Sequence, residues 1–545
     1  MKQLWFTLLV AAGLLPSAPA ATIYVNNGYT GSVELGTATN PYKSVTNAES
    51  AAAAGDTLLI TSGQYRETPM LTTPGALVAN GGAVTIGTRL WGRLANPGFT
   101  GKPIKTTLFY AGRPLDGIGN TNDNGCGPIP NVTNIYSVYP QDPRHLNWED
   151  LANPTSSSNR DFALQSMVDA GLNVVSMSSW GESWLPCVVS CPEVPAADCA
   201  CQRFTCVSTV PRCFLIGTNQ QCLVGWYGSA NMQVTQVAKN QVFDAALGKP
   251  LLIIPFIESR FDYDWNFHDE FPYDVNGNLS PGLISQIIDL INLYLLHPAN
   301  PQWPQQWARV YDQDGQERYA VAIVQVATYR LSQNDPNAHS SFANGFDAVA
   351  QYIYSSTGIN VGFFIDPIAP DPTSTFTCTN NIILAETHSV YGSTFKPVPE
   401  LTAPYLRLQK SILGIQCFSP EGWIDGNLGS GYTVNECYKL AWKQDFSQRW
   451  FSTGIPFLQD VTPGYDSTLL FANRDGGLKR WGYDDYWRNG LTQLVQNYGR
   501  AGMVYNAWNG YPEGLAAMPV FGTNGLPLPN GVTIDWLRSL TALYP

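Results

Sequence analysis

From about residue 134 onward, short continuous apolar runs alternate with longer stretches of helical periodicity. No other feature restricts the possible folds as tightly. The runs are Asn134–Tyr139, Asn173–Met177, Leu251–Phe256, Tyr319–Val326, Val361–Ile365, Ile412–Gln416, Pro456–Leu458 and Met503–Tyr505. Between them lie Arg160–Ala170, Gln233–Leu247, Pro281–Leu295, Gly345–Ser355, Asn435–Ser452 and Tyr483–Tyr498. Apolar residues recur at helical spacing in the first of these stretches (Phe162, Leu164, Met167, Val168) and in the last (Trp487, Leu491, Leu494, Val495). Strands that are apolar throughout, rather than alternating, belong to sheets covered on both faces. Eight such runs with helices between them predict an α/β fold, a (β/α)8 TIM-like barrel over residues 131–545.

The chain ahead of the barrel has a different texture. Lys2, the apolar stretch Leu4–Leu15 and Ala18-Pro19-Ala20 form a signal-peptide pattern over residues 1–20. That apolar stretch is too short to cross a bilayer core of about 30 Å. Export, a secreted location and no membrane insertion of the mature chain are therefore expected. Residues 21–130 read as a small β module, with a strand at Ile23–Val25, a helix starting near Ser44 and a strand at Thr57–Ile60. Ala76–Val78 and Ala83–Ile86 offer further short strands before Gly- and Pro-rich chain runs to about Pro130. The segment Thr22–Glu67 combines Tyr24-Val25, Gly36-Thr37, Asn40-Pro41-Tyr42-Lys43-Ser44, an alanine-rich helix, Gly55-Asp56-Thr57 and Gly63-Gln64-Tyr65. It resembles the N-terminal cap of secreted right-handed parallel β-helix proteins, which implies that it caps the first coil of a stack. Fewer than about three repeats cannot bury a core of their own, so a truncated appendage is expected rather than a complete β-helix.

Only 13% of the residues are charged, 12% are aromatic, and the net charge is −12. The aromatic content excludes a disordered chain, and the acidic balance argues against a nucleic-acid partner, since no basic surplus exists to displace phosphate counterions. Of the 11 cysteines, seven fall between Cys187 and Cys222, and the others are Cys126, Cys378, Cys417 and Cys437. No CxxC pair occurs and the five histidines lie far from the cluster, so disulfides are expected there rather than zinc. Asn131 and Asn278 head glycosylation sequons. The loops Asn120–Gly125 and Asp274–Asn278 faintly resemble calcium loops without the remaining ligands. HExxH, P-loop, GxSxG and strand-following GxGxxG motifs are absent from the sequence, which disfavours zincins, NTPases, α/β-hydrolases and dinucleotide enzymes. No cofactor or metal is expected.

Barrel chemistry sits at the C-terminal ends of the strands, so the residues just past each run carry the functional information. The second run leads to Trp180 and Glu182, the third to Glu258, Asp262 and Trp265, and the fifth to Asp366. The sixth leads toward Asp425, the seventh to Asp460, and the eighth to Trp508, Tyr511 and Glu513. Carboxylates recurring beside Trp and Tyr match a carbohydrate site. Aromatic faces stack on sugar C–H surfaces, and paired carboxyl groups do the acid, base or nucleophilic work on an acetal. Each residue also has a plainer reading: Asp425 and Asp460 as helix caps or loop solvation, Trp180 and Trp508 as packing at the barrel top.

The segment Tyr505-Asn506-Ala507-Trp508-Asn509-Gly510-Tyr511-Pro512-Glu513-Gly514 resembles the NxWNEWxEG signature of endo-α-mannosidase-like glycoside hydrolases. Arg160–Trp180, Pro255–Glu258 and Arg309–Val326 are similar, in the same order, to that family's second-strand, third-strand and hairpin segments. The resemblance implies a glycosidase barrel with two glutamates three positions apart after the eighth strand. Glu513 matches the second of them, and Gly510 stands where the first belongs. Glycine accepts no proton, so the paired mechanism needs another carboxylate or is absent. The resemblance points to Glu513 as general acid with Glu258 opposite it and Asp366 as the rival. Trp180, Glu182, Asp262, Trp265, Asp425, Asp460, Trp508 and Tyr511 are candidate substrate contacts. The expected function is an exported glycoside hydrolase acting on a carbohydrate. A glycan-binding protein on a degenerate barrel and a polysaccharide lyase are the alternatives, and the oligomeric state is left open. Residues 187–222 read as a disulfide-stapled insertion, either walling the cleft or armouring the surface.

Overall fold

The computed structural model describes residues 20–65, 75–86, 90–110, 138–145, 156–179, 214–216, 219–221, 239–258, 281–298, 300–326, 336–367, 375–379, 382–387, 399–416, 436–464, 485–510, 515–522 and 531–544, with 67, 69, 71, 73 and 279. The chain divides into two compact units between Arg89 and Leu90.

In the first unit, Thr22–Val25, Thr57–Tyr65 and Ala76–Ile86 form a three-stranded parallel sheet in that order. Of the one or two further strands expected at Ala76–Val78 and Ala83–Ile86, the structure forms one, Ala76–Ile86. The helix Val45–Ala51 starts where Ser44 Oγ accepts from Asn47 N at 3.0 Å. The Glu67 carboxylate accepts from the main-chain N–H groups of Val45 and Thr46 at 2.5 and 2.8 Å, satisfying two more of that end's orphan donors. Asp56 plays the same part in the turn before the second strand. It accepts from Ala53 N and Ala21 N, and those bonds hold its carboxyl below the usual carboxylate range. Ile23, Val25, Val45, Ala48, Leu58, Ile60 and Tyr65 make a small core separate from the main one.

The second unit is a closed barrel. Its strands are β1 (Ile104–Phe109), β2 (Val174–Ser178), β3 (Leu252–Glu258), β4 (Glu317–Val326), β5 (Val361–Pro367), β6 (Ile412–Gln416), β7 (Phe457–Val461) and β8 (Gly502–Tyr505). Every neighbouring pair is parallel, β3 pairs with β4, and β8 pairs with β1, which shuts the ring. The helices that follow the strands are α1 (Ser156–Asp169), α2 (239–246), α3 (Pro281–Tyr294), α4 (Pro336–Thr357), α5 (Pro399–Leu406), α6 (Glu436–Ser452), α7 (Asp485–Tyr498) and α8 (Gly531–Thr541). The expected fold class is thus the observed one.

One strand was misplaced by the sequence pattern. The described end of the run Asn134–Tyr139, Val138 and Tyr139, is not in the barrel: with Pro140 it pairs antiparallel with Val520–Gly522. The missing position is filled by β1, so barrel chain begins upstream of residue 131, inside what reads as the N-terminal module. The sequence Ile-Lys-Thr-Thr-Leu-Phe has no apolar run to notice. Thr106 and Thr107 are nevertheless fully buried, their hydroxyls bonded to Ser176 Oγ and Tyr505 O at 3.0 Å. Polar atoms satisfied by neighbouring strands make such burial affordable.

Strand register fixes which side chains face the barrel axis, because they alternate with period 2. Phe457 meets Phe446 of α6 and Tyr505 meets Trp536 of α8, so these residues face outward. Leu458, Asp460 and Val504 are therefore inward, and the register carries that face through Thr106, Val174, Leu252, Ala322, Phe364 and Gly414. Inward size alternates: an added Cβ on Gly414 would come within 2.9 Å of the Phe364 ring. At the N-terminal end, the chain from Leu90 packs under the strands. Trp91 Nε1 donates to Ile412 O at 2.9 Å, and Asn96 binds Trp307 O and Arg309 N at 3.0 and 2.6 Å. With that end plugged, the C-terminal mouth is where a site can form.

Candidate active site

Several inward positions at the mouth carry polar side chains. Asp366 closes the inward row of β5, Gln416 ends β6, Asp460 sits near the end of β7, and Asn506 follows β8. All four are buried, at 4%, 2%, 2% and 0% exposure. Glu258 ends β3 at the register position opposite Val324.

Asp460 is the best-defined of these groups. Its carboxylate accepts from Lys443 Nζ of α6, from Asn506 Nδ2, and from Thr462 Oγ1 at 3.1 and 3.3 Å. Lys443 and Asp460 are both almost fully buried. Removing either partner would leave a desolvated charge, while the two together with their hydrogen bonds are tolerated. The Lys443 ammonium also lies 6.0 Å from the centre of the Trp487 ring, whose Nε1 donates to Thr462 O at 2.9 Å. Asp460 is thus neither a helix cap nor a solvated loop residue.

The chain leaving β8 is anchored at each step. Asn506 N donates to Val461 O at 2.9 Å and Trp508 N to Leu108 O at 2.8 Å. The Asn509 carboxamide reads the Tyr110 backbone from both sides, accepting from its N–H at 2.9 Å and donating to its C=O at 3.0 Å. Asn509–Gly510 then pairs antiparallel with Leu515–Ala516, so Gly510 is a backbone ladder position. Trp508 is fully buried, and among the described residues its indole N–H meets no acceptor. The Gln416 side-chain oxygen likewise meets no donor among them. His145 packs on Trp508 and on Phe162, with ring centres 6.3 and 5.0 Å apart. Burial pushes its imidazole down to about 4 against the opposing pull of Asp142, so the ring is neutral at pH 7.

Of the residues singled out from sequence, Asp366, Asp460 and Trp508 are placed together at this mouth, and Glu258 has its backbone there. Trp180, Glu182, Asp262, Trp265, Asp425, Tyr511 and Glu513 lie outside the described residues. So do the signal peptide, the Cys187–Cys222 cysteines, both sequon asparagines and both calcium-like loops. Sequence reasoning missed Lys443, Asn506, Asn509, Gln416 and His145. Lys443 had one available signal, as a charged residue on the face of α6 that also carries Phe446 and Trp450. Gln416 had another, as the polar end of an apolar strand.

No group of three or more His, Cys, Asp or Glu side chains able to hold a metal occurs among the described residues, and no described helix is long and apolar enough to cross a membrane.

No protein-family model matches the sequence, and no curated protein matches it. Among solved structures, the chain is similar to the GH99 endo-alpha-mannosidase from Bacteroides thetaiotaomicron, with 12% identity over 80% of this chain and 95% of that one and a TM-score of 0.41. It is also similar to the catalytic domain of the major endoglucanase from Xanthomonas campestris pv. campestris, with 10% identity, coverage of 83% and 98%, and a TM-score of 0.38. A glycoside hydrolase family 5 mannosidase from Rhizomucor miehei follows at 10% identity, 81% and 92% coverage and 0.33. Likeness at this level carries no argument about chemistry; the ring of eight parallel strands establishes the barrel by itself.

Proposed function

We propose that this chain is an exported glycoside hydrolase that cleaves a poly- or oligosaccharide at the C-terminal mouth of the barrel. The supporting observation is that the buried carboxyl groups Asp366 and Asp460 both occupy inward positions at the C-terminal ends of their strands. Glycosidic cleavage needs one carboxylic acid to protonate the departing oxygen and one carboxylate to attack the anomeric carbon or activate water. Glu513 is assigned the first role and Glu258 the second, with Asp366 the alternative partner. A separation of about 5–5.5 Å between the working pair gives retention and about 6.5–9.5 Å gives inversion. Trp180, Trp265 and Tyr511 are assigned to stacking against the sugar, and Glu182, Asp262 and Asp425 to its hydroxyls, while the fully buried Trp508 packs the barrel top.

The test is reducing-end release from a panel of oligosaccharides. Glu513→Gln should lower turnover by about 10²–10⁴-fold while the protein stays folded. Full turnover in that variant would remove Glu513 from the mechanism.

Gly510 favours a second reading, a non-catalytic glycan-binding protein, because a backbone ladder position stands where the resembled family carries a glutamate. Glycan binding by the parent with no release from any member of the panel selects it. The lyase alternative needs many β-helix rungs, and the described stack has three strands.

A further inference from the structure

Asp460 stands out because its carboxylate joins three separate elements. Lys443 reaches it from α6, Thr462 from the end of its own strand, and Asn506 from the first position after β8. A charged acceptor forms shorter and stronger hydrogen bonds than a neutral one, and in a site almost closed to water no solvent competes for the Asn506 amide. The contact can form only when β7 and β8 are in register, Asp460 beside Val504, and when the ladder continues one bond past β8, from Asn506 N to Val461 O. A buried ion pair adds little net stability compared with apolar residues of the same volume, but it does penalise every arrangement that separates it.

We propose that Lys443, Asp460 and Asn506 form a positioning relay, in which the lysine keeps the carboxylate charged and in place and the carboxylate fixes Asn506, setting the path of the chain from Ala507 to Gly510. Asp460 then acts through Asn506 and does not itself touch the sugar. The connection to catalysis rests on the glycosidase reading; the connection to chain order does not.

The experiment is hydrogen exchange on the full chain, read at the amides of residues 507–510, with kinetics alongside. Asn506→Ala removes the donor, and these amides should exchange at least about tenfold faster while β1–β7 are unchanged. The double variant Lys443→Met with Asp460→Asn removes both charges but keeps an acceptor for Asn506, so exchange should stay within about threefold of the parent. If the alanine variant does not fold, Asn506→Ser supplies the same reading, with exchange between these two values. Unchanged exchange at 507–510, or equal acceleration throughout the barrel, overturns the relay whatever the activity. If the parent cleaves glycans, Asn506→Ala should lower kcat by at least about tenfold with KM within about threefold, as for a misplaced catalytic group. If the parent cleaves none while exchange changes as expected, the relay stands and the glycosidase reading falls.

Discussion

Stability of the barrel should depend on pH through His145, and the size of the effect is set by its surroundings. The imidazole is 6% exposed, lies against Phe162 and Trp508, and has its pKa pushed from 6.5 to about 4 by burial. Between those values the unfolded chain binds a proton that the folded chain refuses. The contribution of His145 is therefore fully present above pH 6.5 and is lost as the pH falls toward 4. From about pH 7 to about pH 5 the loss amounts to about 2 kcal/mol. Asp142 does not confuse the measurement, since its hydrogen-bonded partner Arg144 holds its carboxyl below the usual range and it stays ionised throughout. His145→Phe keeps an aromatic ring against Phe162 and cannot titrate. Urea unfolding followed by near-UV circular dichroism at both pH values gives the comparison. The parent should lose about 2 kcal/mol more than the variant between them, whatever offset the substitution adds at neutral pH. Parallel pH profiles for the two proteins would refute the argument, because a solvated histidine would have to sit where a neutral buried one is placed.

Other expected outcomes concern the seams of the barrel. Gly502 has φ +152° and an added Cβ would lie 1.9 Å from Ile104 O, so Gly502→Ala should cost more than about 2 kcal/mol and show as a lowered unfolding midpoint. Asn509→Ala removes both bonds to the Tyr110 backbone and should cost roughly 2–4 kcal/mol in the same assay. Asp366→Asn should depress glycan turnover with little change in unfolding if Asp366 is the second carboxylate, and leave turnover intact if Glu258 holds that role. Trp487→Phe keeps the packing but loses the bond to Thr462 O, and calorimetry should register about 1 kcal/mol.

The sequence revealed seven of the barrel strands because each is apolar on both faces, as a position between a packed interior and a helical layer requires. Trp487, Leu491, Leu494 and Val495, read as one face of a helix, are all buried in α7. β1 escaped because its burial is made possible by threonine hydroxyls bonded across strands, a pattern that hydropathy scores as polar. β-branched residues bounded by Pro103 and Gly112 were the available cue. At the mouth, the acids were visible by their place after apolar runs. Their partners were not, since Lys443 and Asn506 meet Asp460 from positions 17 and 46 residues away. Charge pairing at that distance leaves no local periodicity to read.

The bond from Thr107 Oγ1 to Tyr505 O spans 398 residues, so the barrel joins its first strand to its last. At synthesis rates of about 5–20 residues per second, roughly 20–80 s separate the emergence of the two. Throughout that interval the growing sheet has two raw edges, which is the condition under which chains associate wrongly. A threonine-rich opening strand is suited to such a wait, being less adhesive than a run of valine or isoleucine. Chains truncated ahead of Gly502 should accordingly show no cooperative melting, and Thr106→Val with Thr107→Val should raise the aggregated fraction during refolding even if the finished barrel tolerates both changes.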